Sequence, residues 1–186
     1  MKTTNLKIGI AAVATALFLV SCNANNESAQ TTTNHAAHQE EKIDDVSNGV
    51  PQTKSNELNA LYPHYLALQE ALVVGDSTRA KEATLLVEEA GKQVKEGQAL
   101  QAAAGSILSA TTLAEQRNAF SSLSNALIAL IKSTGVNEGE FYLAHCPMAS
   151  NNSGANWISP SKTIKNPYFG NKMLTCGSIT ETLKKL

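Results

Sequence analysis

Four sulfur side chains gather in one stretch of the chain, residues 141–177. Cys146 and Met148 form a Cys-x-Met element, Met173 and Cys176 form Met-x-x-Cys, and His145 directly precedes the first cysteine. Apart from Met1 and Cys22, these are all the methionines and cysteines in the sequence. Thiolate and thioether are soft donors that select copper(I) over hard cations. An imidazole at His145 would add a nitrogen. The pattern points to a soft-metal site, with copper(I) first and silver as a chemical relative. Residues 149–172 separate the two pairs, enough chain to fold back and bring them together. Pro147 stiffens the turn between Cys146 and Met148, and Gly170 and Gly177 allow tight turns beside the second pair.

Other chemistries compete for the same residues. A Cys146–Cys176 disulfide would pin the loop and contribute ~3–4 kcal/mol on the chain-entropy argument. Met148 and Met173 also suit irregular core gaps. A structural zinc site would draw on Cys146, Cys176 and His145. It ranks below copper because only three good zinc donors are in view and zinc has little use for thioether. A cysteine beside a histidine also invites a nucleophilic reading. Neighbours in a loop usually point apart, and no orienting third group is evident, so an enzyme is not expected.

Several elements must position this stretch. Lys2 and Lys7 precede an apolar run over residues 8–20, too short for a comfortable membrane span and ending Leu19-Val20-Ser21-Cys22. This resembles the bacterial lipobox, so residues 1–22 read as a lipoprotein signal peptide with Cys22 as the lipidation site. The protein would then be anchored in the cell envelope, on a periplasmic or surface face of the outer membrane. Disulfides persist there, and acyl chains hold firmly at ~0.8 kcal/mol per buried methylene. Residues 23–55 are polar and aperiodic, the composition of a flexible tether. His35 and His38 lie within it and read first as linker residues, second as a transient metal collector.

A helical domain is expected over residues 56–186. Aromatic residues are only 5% of the chain while alanine and leucine are abundant, which favours a small-residue helical core over a β-sandwich. Leu58, Leu61, Tyr62, Tyr65, Leu68 and Leu72 form the stripe of a first helix, starting or bending at Pro63 and ending at Gly75-Asp76. His64 on this helix reads as a surface or half-buried residue. Asp76 or Ser77 caps a second helix to about Gly97, with Ala80, Ala83, Val87, Ala90 and Val94 on one face. An alanine-rich third helix spans residues 98–110. Thr112 and Glu115 make a capping box for a fourth, with Leu113, Phe120, Leu123, Leu127 and Leu130 inward and a stop at Gly135. These helices predict a mainly α fold, an antiparallel four-helix-type bundle, with no di-iron carboxylate pattern inside. Past Gly135 helical periodicity is lost, and the ligand cluster is expected on an irregular C-terminal loop region with room for short strands. The formal net charge of −1 and the absence of a basic run exclude nucleic acid as a partner class.

The motif Tyr142-x-x-His145-Cys146-Pro147-Met148-Ala149, then Trp157, then Asn166-Pro167-Tyr168-Phe169-Gly170-x-Lys172-Met173-Leu174-x-Cys176-Gly177, resembles a bacterial domain-of-unknown-function family. Its members occur as exported proteins and lipoproteins and fused to periplasmic adaptor subunits of copper/silver efflux pumps. Tyr65-Leu66-Ala67-Leu68 and Gln116-Arg117-x-Ala119-Phe120 share the likeness, which covers roughly residues 58–183. Cys-Pro-Met is also similar to the short heavy-metal-binding segments of copper ATPases and adaptors. Those continue His-Pro, where this chain has Ala149-Ser150. The resemblance implies copper or silver homeostasis in the envelope, with delivery to an efflux adaptor as partner. It implies Cys146, Met148, Met173 and Cys176 as ligands, with His145 a weaker carry-over. The alternative is a helical envelope interaction protein with a structural Cys146–Cys176 disulfide and no metal.

Overall fold

The computed structural model describes residues 49–186. The signal segment with Cys22, His35, His38 and the tether up to residue 48 lie outside the described residues.

The folded part begins ahead of the boundary expected at residue 56. Strand β1 (Gln52–Thr53) pairs antiparallel with β2 (Val136–Glu138). Buried Thr53 exchanges hydrogen bonds with the Asn59 side chain. This short ladder ties the entry of the first helix to the exit of the fourth.

Helix α1 (Asn56–Val74) starts from Ser55, whose side chain accepts from the Leu58 amide. Leu58, Leu61, Tyr62, Tyr65, Leu68 and Leu72 are all buried, as their spacing predicts. Pro63 does not begin the helix. It sits on the exposed side, with buried stripe residues before and after it, so packing outweighs the hydrogen bond it removes. Gly75 ends α1 in the left-handed region at φ 82°. Asp76 caps α2 (Ser77–Gly91), which stops short of the expected Gly97. Helix α3 (Gln98–Ser109) buries Leu100, Ala103, Ala104 and Ile107. The Thr112–Glu115 capping box opens α4 (Leu113–Thr134). Its most buried apolar residues are Phe120, Leu123, Leu127 and Ile131, with Leu113 and Leu130 only partly covered.

The helices pack in chain order, α1 on α2, α2 on α3, α3 on α4. Where a bundle would close through α1 and α4, aromatic packing and a sheet take part. Tyr65 of α1 stacks on Phe120 of α4, ring centroids 5.3 Å apart. Its hydroxyl hydrogen-bonds Ser124 Oγ at 2.9 Å and accepts from the Ile158 amide at 3.2 Å.

The irregular C-terminal region expected from the sequence is instead built on a sheet. Strands β3 (Glu140–Cys146), β4 (Ala155–Ser159) and β5 (Ser178–Lys184) form an antiparallel sheet of order β4-β3-β5, and β4 packs against α4. Four consecutive residues of β3, Phe141 to Ala144, are buried. A strand covered on both faces shows no alternation of apolar and polar residues, so its period could not be read. The fold is mainly α, with two small antiparallel sheets. Among the described residues no helix is long and apolar enough to cross a membrane.

Candidate metal centre

Cys146 is the last residue of the central strand and is fully buried. Its partner comes from far along the chain. After β4 the backbone makes a loop that ends in a 3-10 turn (Gly170–Lys172) and delivers Cys176 just before β5. The two sulfurs lie 3.1 Å apart, and both cysteines are free thiols. This exceeds the ~2.05 Å of a disulfide. It is shorter than the ~3.8 Å separating two thiolates that share a tetrahedral metal at bonds of ~2.3 Å.

One residue organises the loop that brings Cys176 in. Asn166 has no exposed surface. Its Nδ2 donates to the Cys176 carbonyl at 2.7 Å, and its Oδ1 accepts from the Tyr168 and Phe169 amides at 2.8 and 3.2 Å. Its own amide donates to the Leu174 carbonyl at 2.8 Å, and its carbonyl accepts from Gly170 at 2.9 Å. A buried amide with every group used fixes a loop that has no ladder of its own. Gly177 is the second requirement. At φ +136°, a Cβ there would stand 2.9 Å from both the His145 carbonyl oxygen and the Trp157 ring. Only glycine lets the chain pass this close to β3 while holding Cys176 against Cys146.

The hydrogen bond with Cys146, then burial, then the charge on Cys146 push the Cys176 thiol above its ordinary value. Cys176 therefore resists losing the proton that a metal ion must displace.

The other expected ligands stand differently. His145 is the residue before Cys146 on β3, and alternation along a strand turns it to the opposite face. There its Nδ1 hydrogen-bonds Asn156 Oδ1 at 2.8 Å, and its ring fills the space a Cβ at Gly154 would need, 2.6 Å from Cε1. Among the described residues no three His, Cys, Asp or Glu side chains gather as a metal-holding group. The Cys146–Cys176–His145 zinc set therefore does not form. Met148 is 46% exposed, past the end of β3, and Met173 is half-buried just after the 3-10 turn. His64 is half-buried on α1.

The donor set that comes together is thus two thiols, with two thioethers on the segments that carry them. This set fits a soft ion of low coordination number and does not fit a hard cation. Asn166 lay within the motif, but aperiodic sequence gives no sign of its burial. The Asn-Pro turn signal was its only trace.

Comparison with known proteins bears on the helical part. Residues 61–139 match the profile of a family described as a protein of unknown function (DUF3347). Neither a curated protein nor a solved structure matches the chain. The match is narrower than the likeness over residues 58–183 and ends before Phe141, so Cys146 and Cys176 lie beyond it. From Leu61 in α1 through α4 to just past β2, residues 61–139 are thus matched by a DUF3347 domain, whose function is unknown.

Proposed function

We propose that this protein is a cell-envelope lipoprotein, anchored through Cys22, that binds copper(I) between Cys146 and Cys176 and serves copper or silver homeostasis. The observation that carries the reading is the unbridged approach of the two thiols, 3.1 Å apart from positions 30 residues apart. Binding exchanges two thiol protons for one ion, leaving a bis-thiolate complex. The sulfurs must separate by ~1 Å to admit it. A small side-chain rotation at Cys176, half-buried at the loop end, supplies that movement.

The methionines fit as transient ligands. Exposed Met148, two residues from Cys146, is placed to meet an incoming or departing ion. A thioether holds copper(I) less firmly than a thiolate, which suits hand-off to a periplasmic efflux adaptor. The reading is one of binding: the His145 ring, the nearest imidazole in sequence, hydrogen-bonds Asn156.

The same 3.1 Å approach favours a second reading, a Cys146–Cys176 disulfide in a helical interaction protein. The sulfurs need to close by ~1 Å, and no metal is then bound. Mass spectrometry of protein taken directly from cells, with and without reductant, separates the readings. A copper adduct under native conditions, with no mass change on reduction, is the outcome of the first. A gain of about 2 Da on reduction (two hydrogens added as one S–S bond breaks), with no copper adduct, is the outcome of the second.

A further inference from the structure

The first turns of α4, the left-handed turn Ala149–Asn152 (α5) and the 3-10 loop border an open cavity of about 480 Å³ that Met148 also lines. Its charged lining groups are both cationic, Arg117 and Lys172. One Arg117 Nη donates to the Leu72 carbonyl at 2.6 Å, closing the C-terminal end of α1. The Nε–H is buried and has no hydrogen-bond partner. No carboxylate pairs with Arg117 or Lys172 among the described residues. Partial burial lowers the Arg117 pKa, and no neighbouring carboxylate offsets it.

Two backbone features maintain this arrangement. A Cβ on Gly170 would stand 2.5 Å from the Arg117 Nη2 atom and 2.4 Å from the Val73 carbonyl oxygen, so glycine leaves the guanidinium its place. Ser150, Asn151 and Asn152 all hold positive φ, 50°, 56° and 65°. Left-handed residues normally occur singly, at ~1 kcal/mol or more each outside glycine. Three in a row line the cavity with amide and hydroxyl side chains.

We propose that this cavity is a binding site for a small organic carboxylate, held by Arg117 and Lys172 with its hydrocarbon part against Met148 and Phe169. The part of the Arg117 guanidinium that lines the cavity donates to one carboxylate oxygen, a charge-assisted bond. The Lys172 ammonium balances the remaining charge, and the volume lies in the range of small-ligand pockets. The site is distinct from the thiol pair and shares only Met148 with the copper reading.

The test is a titration of the reduced full chain with succinate, and separately with inorganic phosphate, followed by amide chemical shifts. Saturable binding of succinate near ~1 mM, with shifts in residues 114–118 and 148–152, is expected. Lys172→Ala, an exposed position, should weaken it at least threefold, and Arg117→Gln should abolish it. Should Arg117→Gln fail to fold, Lys172→Ala decides. A Cys146→Ser/Cys176→Ser variant should bind succinate unchanged, which separates this site from the thiol pair. No saturable shift, an unaltered affinity in Lys172→Ala, or phosphate binding as tightly as succinate would overturn the assignment.

Discussion

The helical part and the C-terminal part of this protein are held together by different physics. From α1 to α4 the core is made of side chains that repeat along helices, so neighbours in space are near neighbours in sequence. From β3 to β5 the structure depends on strand pairing across long separations, on one buried asparagine and on glycines that permit close passage. The first part is the one that the DUF3347 profile matches. The second carries the thiols. A periodic scaffold tolerates exchange of one apolar residue for another of similar size. A loop fixed by Asn166 and Gly177 does not tolerate loss of either, and this is where a site can be held to within an ångström.

Perturbing each part in turn should break the comparison if it is wrong. The largest effect is expected from Cys176→Ser. Copper(I) affinity, measured by competition with a chromophoric chelator, should fall more than a thousandfold, or ~4 kcal/mol, with the melting temperature of the reduced protein nearly unchanged. Leu68→Ala, at a fully buried position of α1, should do the reverse. It should cost ~2–5 kcal/mol of stability in denaturant and leave the affinity of the folded fraction intact. A loss of copper binding in folded Leu68→Ala would mean that the two parts are not separable in this way.

Asn166→Ala should act on both properties. It leaves the Cys176 carbonyl and the Tyr168 and Phe169 amides without partners, at ~2–3 kcal/mol in total. Release of Cys176 should also weaken copper binding and slow Cys146–Cys176 disulfide formation by an added oxidant. Stability lost with both thiol properties retained would reduce Asn166 to a packing residue.

Much of the helical part could be read directly. The Leu58–Leu72 stripe, the Asp76 cap, the Thr112–Glu115 box and the stops at Gly75 and Gly135 all stand where spacing and cap chemistry put them. The helix start allowed at Pro63 did not occur, because its local preference was outweighed by a stripe buried on both sides of it. The C-terminal part was legible in its chemistry but not its form. The pairing of Cys146 with Cys176 was foreseeable from residue type. Short strands were open there, but their pairing into a sheet was not legible, because β3 is buried on both faces and its pairing partners lie up to 44 positions away, from Glu140 to Lys184. His145 was misjudged as a neighbour in sequence, when a strand sends adjacent side chains to opposite faces.

Two smaller effects sharpen the site itself. Because the Cys176 thiol is held above its ordinary value in the folded protein, the folded chain binds that proton more tightly than the unfolded chain does. The resulting stabilisation is present below the ordinary thiol range near ~8.5 and is lost as pH rises through the raised folded value. Denaturant midpoints of the reduced, metal-free protein should therefore decline on the alkaline side, and Cys176→Ser should flatten that decline. Copper(I) affinity should rise over the same pH range as protons cease to compete. His145→Ala should be the mildest change. It removes a hydrogen bond to Asn156 on the face away from the thiols and should alter copper affinity by less than ~0.5 kcal/mol. A larger loss would restore histidine to the ligand set.

The most direct test of the central claim is X-ray absorption at the copper edge, on the reduced full chain loaded with one equivalent of copper(I). The account predicts a low-coordinate ion with a first shell of two thiolate sulfurs, which is lost in Cys146→Ser/Cys176→Ser. A first shell of nitrogen or oxygen, or an unchanged spectrum in the double variant, would contradict it.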